Sequence, residues 1–376
     1  MKNEPLAFNP SKTALSLGVE LELQVLDGET LLLTPRAEEI IKLLNKEKLT
    51  KEFFQSTIEV VTSICQTARQ AESDLHESLV DVHNAANLLG LKIASTGTHP
   101  EADYRDRIIT PSPRYHELAD RNRWLIRRMA VYGMHIHIGM PSADVAIQFN
   151  NFLLHFVPHV LALSASSPFW QRMDTGLAAA RPTMYESMPT SGIPYVVKDW
   201  KQFQRLYASL LRTSSIGSMK DLWWDIRPSP SFGTVELRIC DEPATLQEAM
   251  AIVAFVHLLA HWFMDHAAEW NASHKTIQRW ILRENKWRAI RFGLAAEIIK
   301  KENKKPVCLT EDIQFWMEEL KEYAGKLKYE SYLSTIEQIL EKGNSATRQH
   351  AVYSVNNDLH EVTRFNVSEF ERGLHR

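Results

Sequence analysis

Three short stretches place residues that could do chemistry at a spacing of two. Glu20 and Glu22 stand in Leu17-Gly-Val-Glu-Leu-Glu-Leu-Gln24, His135 and His137 in Met134-His-Ile-His-Ile138, and Glu236 and Arg238 in Thr234-Val-Glu-Leu-Arg-Ile-Cys240. Successive side chains of an extended strand point to opposite faces. Glu20, Glu22 and Gln24 therefore share one face, with Val19, Leu21 and Leu23 on the other. His135 and His137 oppose Met134, Ile136 and Ile138. Thr234, Glu236, Arg238 and Cys240 oppose Val235, Leu237 and Ile239. If the three segments join one antiparallel sheet, a single face carries carboxylates, imidazoles and a guanidinium. Turned to water, such a face is an ordinary solvated surface. Covered by the rest of the chain, its carboxylates ionise only beside cations, and the face becomes a site for metal and anion.

A His-x-His pair with one carboxylate could hold zinc tetrahedrally. Glu20, Glu22, Glu59 and Glu236 are more carboxylates than one zinc needs, and oxygen-rich sets favour magnesium or manganese. Two or more such ions beside an arginine, here Arg238, suit phosphoryl transfer, where charge builds on the transferring oxygens. Glu59 lies in Thr57-Ile-Glu-Val-Val61, whose alternation is weaker, and by itself it reads as a strand-edge charge. The chain has no GxxxxGK[ST] loop, GxGxxG, GxSxG or HExxH. A nucleotide would thus be held by side chains and metal.

The elements that must position these residues follow from periodicity. Asp27-Gly28 is a hairpin signal, with a returning strand at Thr30 to Thr34. Thr34-Pro35 can cap a helix to Leu44. Ala68 to Leu89 has one apolar helical face and stops at Gly90, after which Leu91 to Thr96 reads as a strand. Seven arginines fall between Arg105 and Arg128. Some are solvated helix-face charges, while a few, Arg105 and Arg114 among them, could converge as an anion cradle. Ala143 to Ser164 and Trp200 to Leu211 read as helices, as do Glu248 to Glu269, Thr276 to Lys301 and one or two between Asp312 and Lys342. Residues 167 to 194 form a long loop with Arg181, Ser187 and Thr190 as candidate polar contacts.

A formal net charge of -3 over 376 residues gives no support for a nucleic-acid or membrane partner. Cys65, Cys240 and Cys308 are widely separated and lack CxxC spacing, as expected in a reducing compartment. The first residues have no apolar signal region, and Met250 to Met264 is too short to span a bilayer. These features suggest a cytoplasmic protein.

The segments GVELELQVLD, FFQSTIEVVTSIC, GMHIHIGMP, ARPTMYESMPTSGIP, WWDIRPSPSFGTVELRICD and ENKWRAIRFG occur in that order. Together they resemble the successive motifs of the bacterial carboxylate–amine ligases, the glutamate–cysteine ligase type 2 group of the glutamine synthetase-like superfamily. The similarity extends from about residue 16 into the C-terminal region. It implies an α+β fold like the catalytic domains of glutamine synthetase and guanidino kinases. A curved antiparallel sheet of about six strands would carry helices on its outer face and form a funnel for ATP and magnesium or manganese. Residues 1–376 would be one ligase domain, with 344–376 a C-terminal arm carrying one helix, and the protein a homodimer.

In that resemblance Glu20, Glu22, Glu52, Glu59, His135, His137 and Glu236 are the metal-facing set, and which histidine ligates is open. Arg238 matches an arginine that meets the transferred phosphoryl group, with Glu236 beside it. Arg105, Arg114, Arg181, Ser187, Thr190, Arg227 and Thr234 are candidates for substrate or nucleotide contact. One residue departs from the pattern. The first motif of the family usually reads Gly-Val-Glu-Glu-Glu, and here its middle acid is Leu21, which alternation sends to the opposite face. The implied reaction joins a carboxylate, of glutamate or a similar amino acid, to an amine such as that of cysteine through an acyl phosphate. Alternatives are a guanidino-type phosphotransferase and a non-catalytic nucleotide- or metal-binding protein.

Overall fold

The alternating segment at residues 17–24 becomes the central strand of the molecule. In the computed structural model, which describes residues 6–273 and 278–375, β1 runs Leu17–Asp27. It is followed by β2 (Leu49–Lys51), β3 (Thr57–Val61), β4 (Leu91–Ala94), β5 (Met134–Gly139), β6 (Ile226–Ser229) and β7 (Thr234–Leu237). The order across the sheet is β6-β7-β5-β1-β3-β2, with β4 also on β1, and every pairing is antiparallel. The sheet thus has seven strands, one more than the resemblance implies. The extra strand is possible because β1 is 11 residues long. One edge takes β5 along Leu17–Leu21 and β4 along Gln24–Asp27, while the other takes β3 along Glu20–Gln24.

One face of this sheet is closed by the core. Val19, Leu21, Leu23, Ile58, Val60, Met134, Ile136, Ile138, Val235 and Leu237 are all buried in a single cluster with residues of the Ala68–Leu88 and Leu246–Ser273 helices. Full burial of each such side chain contributes about 1.5–3 kcal/mol, and a one-residue slip in register would send the whole set to the other face. The core face therefore fixes which way the acids and imidazoles point.

Several expected elements differ. The Asp27-Gly28 turn closes only a single bridge, Leu26 to Leu33, because Asp27 Oδ1 accepts the N–H groups of Glu29 and Thr30 and draws the chain into a local loop. The first short helix begins at Ala37, with Arg36 and not Thr34 at its cap. The third polar strand ends at Leu237. Alternation stops there, so Ile239 and Cys240 are both buried in the core. Gln24 is buried and donates to the carbonyl and hydroxyl oxygens of Thr96, away from its supposed row.

The Leu246–Ser273 helix is 28 residues long, and it and the Ala143–Ser164 stretch are apolar and long enough to cross a membrane by length and composition. The apolar run Met250 to Met264 is thus the middle of a longer helix. Here 78% of each window is buried, so the core takes up their apolar surface. The start of the helix expected from Thr276 lies outside the described residues. Its described part runs Arg279–Phe292 and stops at Gly293, whose φ is +54°. Three helices, Leu309–Glu319, Lys321–Leu327 and Glu330–Lys342, replace the one or two expected next. Past Asn344 there are two helices, Ser345–Asn356 and Leu359–Leu374, where one was expected. The second packs on β4 and the Ala68–Leu88 helix, with Val367 clustered with Ala94 and the Phe370 ring against His83.

Candidate active site

Register turns residues distant in sequence into direct neighbours on the open face. Arg227, Glu236 and His137 are successive cross-strand partners over β6, β7 and β5. Glu20 stands opposite His135, and Glu22 opposite Glu59, which in turn faces Thr50. These rows form the floor of a cavity of about 1010 Å³. Its walls include Phe53 and Tyr115 on one side, Trp223 and Trp224 on another, and Phe232 at the tip of the β6–β7 hairpin.

Glu20 joins the two histidines. One oxygen lies 2.8 Å from His135 Nδ1 and the other 3.2 Å from His137 Nε2. Thr234 lies 2.9 Å from the remaining nitrogen of His137 and so sets the tilt of that ring. Glu236, only 2% exposed, accepts from Arg227 Nε at 2.7 Å and is also paired with Arg238. Glu22 accepts the N–H of Gly133 at 2.6 Å. Gly133 is confined to glycine by crowding, since a Cβ there would lie 1.9 Å from the Arg181 guanidinium. Glu59 accepts from the Thr50 hydroxyl at 2.5 Å.

Burial would raise the pKa of Glu20, but its hydrogen bonds to His135 and His137 outweigh that and hold it below the usual carboxylate range. Burial of Glu236 is likewise overcome by Arg238 and Arg227. His135, buried and facing Arg238, titrates below an ordinary histidine. For His137, burial is outweighed by Glu236 and Glu20, and its pKa is raised. Glu52 and Glu59 behave oppositely. Burial, and then the charge of Glu22, push Glu52 up to about 7. Burial and the charges of Glu52 and Glu20 push Glu59 well above the ordinary value. The site has more carboxylates on this side than cations to neutralise them.

This imbalance fits a divalent cation. Glu20, Glu59 and His135 offer ligand atoms that all lie within 4.8 Å of one another, and so do Glu20, His137 and Glu236. Glu20 belongs to both groups, and each histidine to one. The donors are carboxylate oxygens with a single imidazole in each group, a hard set that suits magnesium or manganese.

Arg114 and Arg227 line the cavity, Arg114 in an ion pair with Asp221 at 3.0 Å. Arg181 borders it too, buried, with its guanidinium bracing the backbone carbonyls of Arg238 and Ile239. Three candidates lie elsewhere. Arg105 is exposed and bonded to Asp103, two residues away. The Ser187 hydroxyl is used by the carbonyl of Met184, and that of Thr190 by the carbonyl of Asp221. A loop rich in hydroxyls caps its own turns as readily as it binds a ligand. The aromatic wall was not anticipated. Trp223 and Trp224 were legible only as part of a motif, and Phe53 and Tyr115 carry no sequence signal that separates them from core residues.

This architecture matches solved structures at low sequence identity. The glutamate–cysteine ligase of Francisella tularensis, solved in complex with AMP, superposes with a TM-score of 0.73 at 12% identity, covering 98% of this chain and 90% of that one. A bifunctional glutathione synthetase of Pasteurella multocida gives 0.70 at 13% identity, covering 96% of this chain and 53% of the other. At this identity the likeness shows the fold, an antiparallel sheet backed by helices that the chain shares with these two proteins. Sequence relatives narrow this further. Proteins provisionally named glutamate–cysteine ligase 2 are 41% identical over 97% of this chain and 98% of its relative in Gloeobacter violaceus, and 39% identical over 99% of both chains in Bdellovibrio bacteriovorus. The model of glutamate–cysteine ligase family 2 matches residues 16–367, and the chain belongs to that family.

Proposed function

We propose that the whole chain works as a single ATP-dependent carboxylate–amine ligase domain, joining the carboxylate of glutamate or a similar amino acid to an amine of the cysteine type. The observation that carries this reading is the run of side-chain contacts from Arg227 through Glu236, His137 and Glu20 to His135 along the floor of one cavity, with Arg238 beside it. Glu20, Glu22, Glu52, Glu59, His135, His137 and Glu236 are the groups that would hold magnesium. When bound, magnesium supplies positive charge that offsets the charge building on phosphate oxygens.

The protein's own groups then act by position. Arg238, held beside Glu236, directs a permanent cation at the γ-phosphate. Arg227 and Arg238 keep Glu236 ionised, so that it remains a ligand and never a proton donor. Arg114 stands on the cavity wall for a substrate carboxylate or a phosphate. Bringing the acid's carboxylate to the γ-phosphorus converts an encounter of two anions into a held approach. Its oxygen bonds to phosphorus as the bond to ADP breaks, giving an acyl phosphate. The amine attacks the acyl carbon, loses a proton and expels phosphate. The family resemblance further suggests a cytoplasmic homodimer, which light scattering of the purified protein tests.

The decisive experiment incubates the protein with ATP, magnesium, glutamate and cysteine and follows ADP, phosphate and the amide. ADP and amide are expected in equal amounts, and Arg238→Ala should lower kcat by about 10²–10³-fold. A phosphorylated product without amide would identify a phosphotransferase. No ADP with any of a broad panel of acids and amines would end the ligase reading.

A further inference from the structure

The motif at residues 284–293 spans the last turns of the Arg279–Phe292 helix and its Gly293 cap, off the sheet, and the site described above does not use it. Its Lys286 is only 2% exposed. The ammonium group lies 2.8 and 2.9 Å from the two oxygens of Asp225 and 3.0 Å from Glu186. Asp225 is fully buried and also accepts the Tyr185 hydroxyl at 2.8 Å. Lysine is rarely buried this deeply unless paired.

What this pair holds is the backbone of Arg238. That residue is the first beyond β7, so the ladder to β5 no longer fixes it. Its N–H donates instead to the carbonyl oxygen of Asp225 at 2.8 Å. Its own carbonyl accepts from both terminal nitrogens of Arg181 at 3.3 Å. The Tyr185 ring lies between the two cations, 5.3 Å from the Arg181 guanidinium carbon and 5.6 Å from Lys286 Nζ. Arg238 is thereby gripped on both sides by groups from three distant segments, while its side chain lines the cavity next to Glu236.

We propose that Lys286 is a positioning residue for Arg238: through Asp225 and Tyr185 it fixes the backbone from which that guanidinium meets the transferred phosphoryl group. Only the last clause rests on the ligase reading. Displacement of such a group by about 1 Å can cost ~10²-fold in rate. A lysine that merely stapled the fold would lower the fraction of folded protein and leave turnover per folded molecule unchanged.

ADP release is measured for the wild type, Lys286→Met, Arg238→Lys and the two combined. Lys286→Met should lower kcat by about 10–100-fold with KM for ATP nearly unchanged, and should cost little more once Arg238 is already lysine. Equal losses in both backgrounds, or an unchanged kcat, overturn the proposal. Where Lys286→Met strands the Asp225 charge and the chain does not fold, Asp225→Asn/Lys286→Met removes both charges and takes its place. A crystal structure of the folded variant supplies a readout independent of turnover. It should show Arg238 shifted from Glu236, and an unmoved guanidinium overturns the proposal. If the wild type releases no ADP at all, the ligase reading fails and this structure alone decides the positioning role.

Discussion

Glu52 binds its proton up to about pH 7 because burial, and then the charge of Glu22, oppose its ionisation. The unfolded chain gives up that proton near the ordinary carboxyl value of 4.5. A carboxyl whose folded pKa is raised contributes stability that is complete below its unfolded value and is lost as pH rises through the folded one. Without divalent cations, the contribution of Glu52 to stability should therefore fall between about pH 4.5 and 7, and Glu59, raised in the same sense, adds to that loss. A bound cation needs these oxygens deprotonated and compensates their charge. Magnesium should accordingly raise the unfolding temperature at pH 8, by about 2–4 °C, and by clearly less at pH 5.5. Thermal unfolding with and without magnesium at the two pH values checks this, and a gain independent of pH would contradict it.

Among the elements, β1 explains why the departure at Leu21 is harmless. Glu20 and Glu22 face the cavity, whereas Leu21 is 2% exposed between Met134 and Val60 on the core face. Restoring the acid usual in the family, by Leu21→Glu, would place a carboxylate among apolar side chains with no partner in view. The expected result is a loss of about 3 kcal/mol or more in stability, with magnesium affinity unchanged. Urea unfolding and a magnesium titration read the two effects separately. A variant that gained metal affinity would show that the faces of β1 are assigned the wrong way round. Strand alternation was enough to foresee this division. It was not enough at the end of β7, where Cys240 turns into the core once the ladder stops.

Across the whole molecule, stability in acid is tied to histidines remote from the site. His99 places Nε2 2.8 Å from the carbonyl of Leu31, and its Nδ1 accepts the N–H groups of Glu101 and Ala102, so a second proton has nowhere to go. Burial lowers its pKa to about 4. His257 links the Leu246–Ser273 helix to the carbonyl of Leu15 and to Tyr329, and burial lowers it to about 3. Histidines kept neutral in the fold lose their contribution as pH drops below 6.5, where the unfolded chain takes up protons. Each should remove about 2 kcal/mol between pH 7 and pH 5. In urea unfolding, His99→Gln should shrink the difference between those two pH values by about that amount, and an unchanged difference would sink the argument.

The three polar strand faces, the helices that cover the opposite face and the family could all be read along the chain, because alternation, helical period and motif order are local properties. The sequence could not show whether that polar face was surface or pocket, nor that Glu236 would be shared by Arg227 and Arg238. It also gave no sign that Ser187 and Thr190 satisfy their own loop. Those outcomes depend on register and on which groups a buried charge finds within a few ångströms. Partners such as Lys286 and Asp225, 61 residues apart, meet only when the tertiary fold brings their segments together.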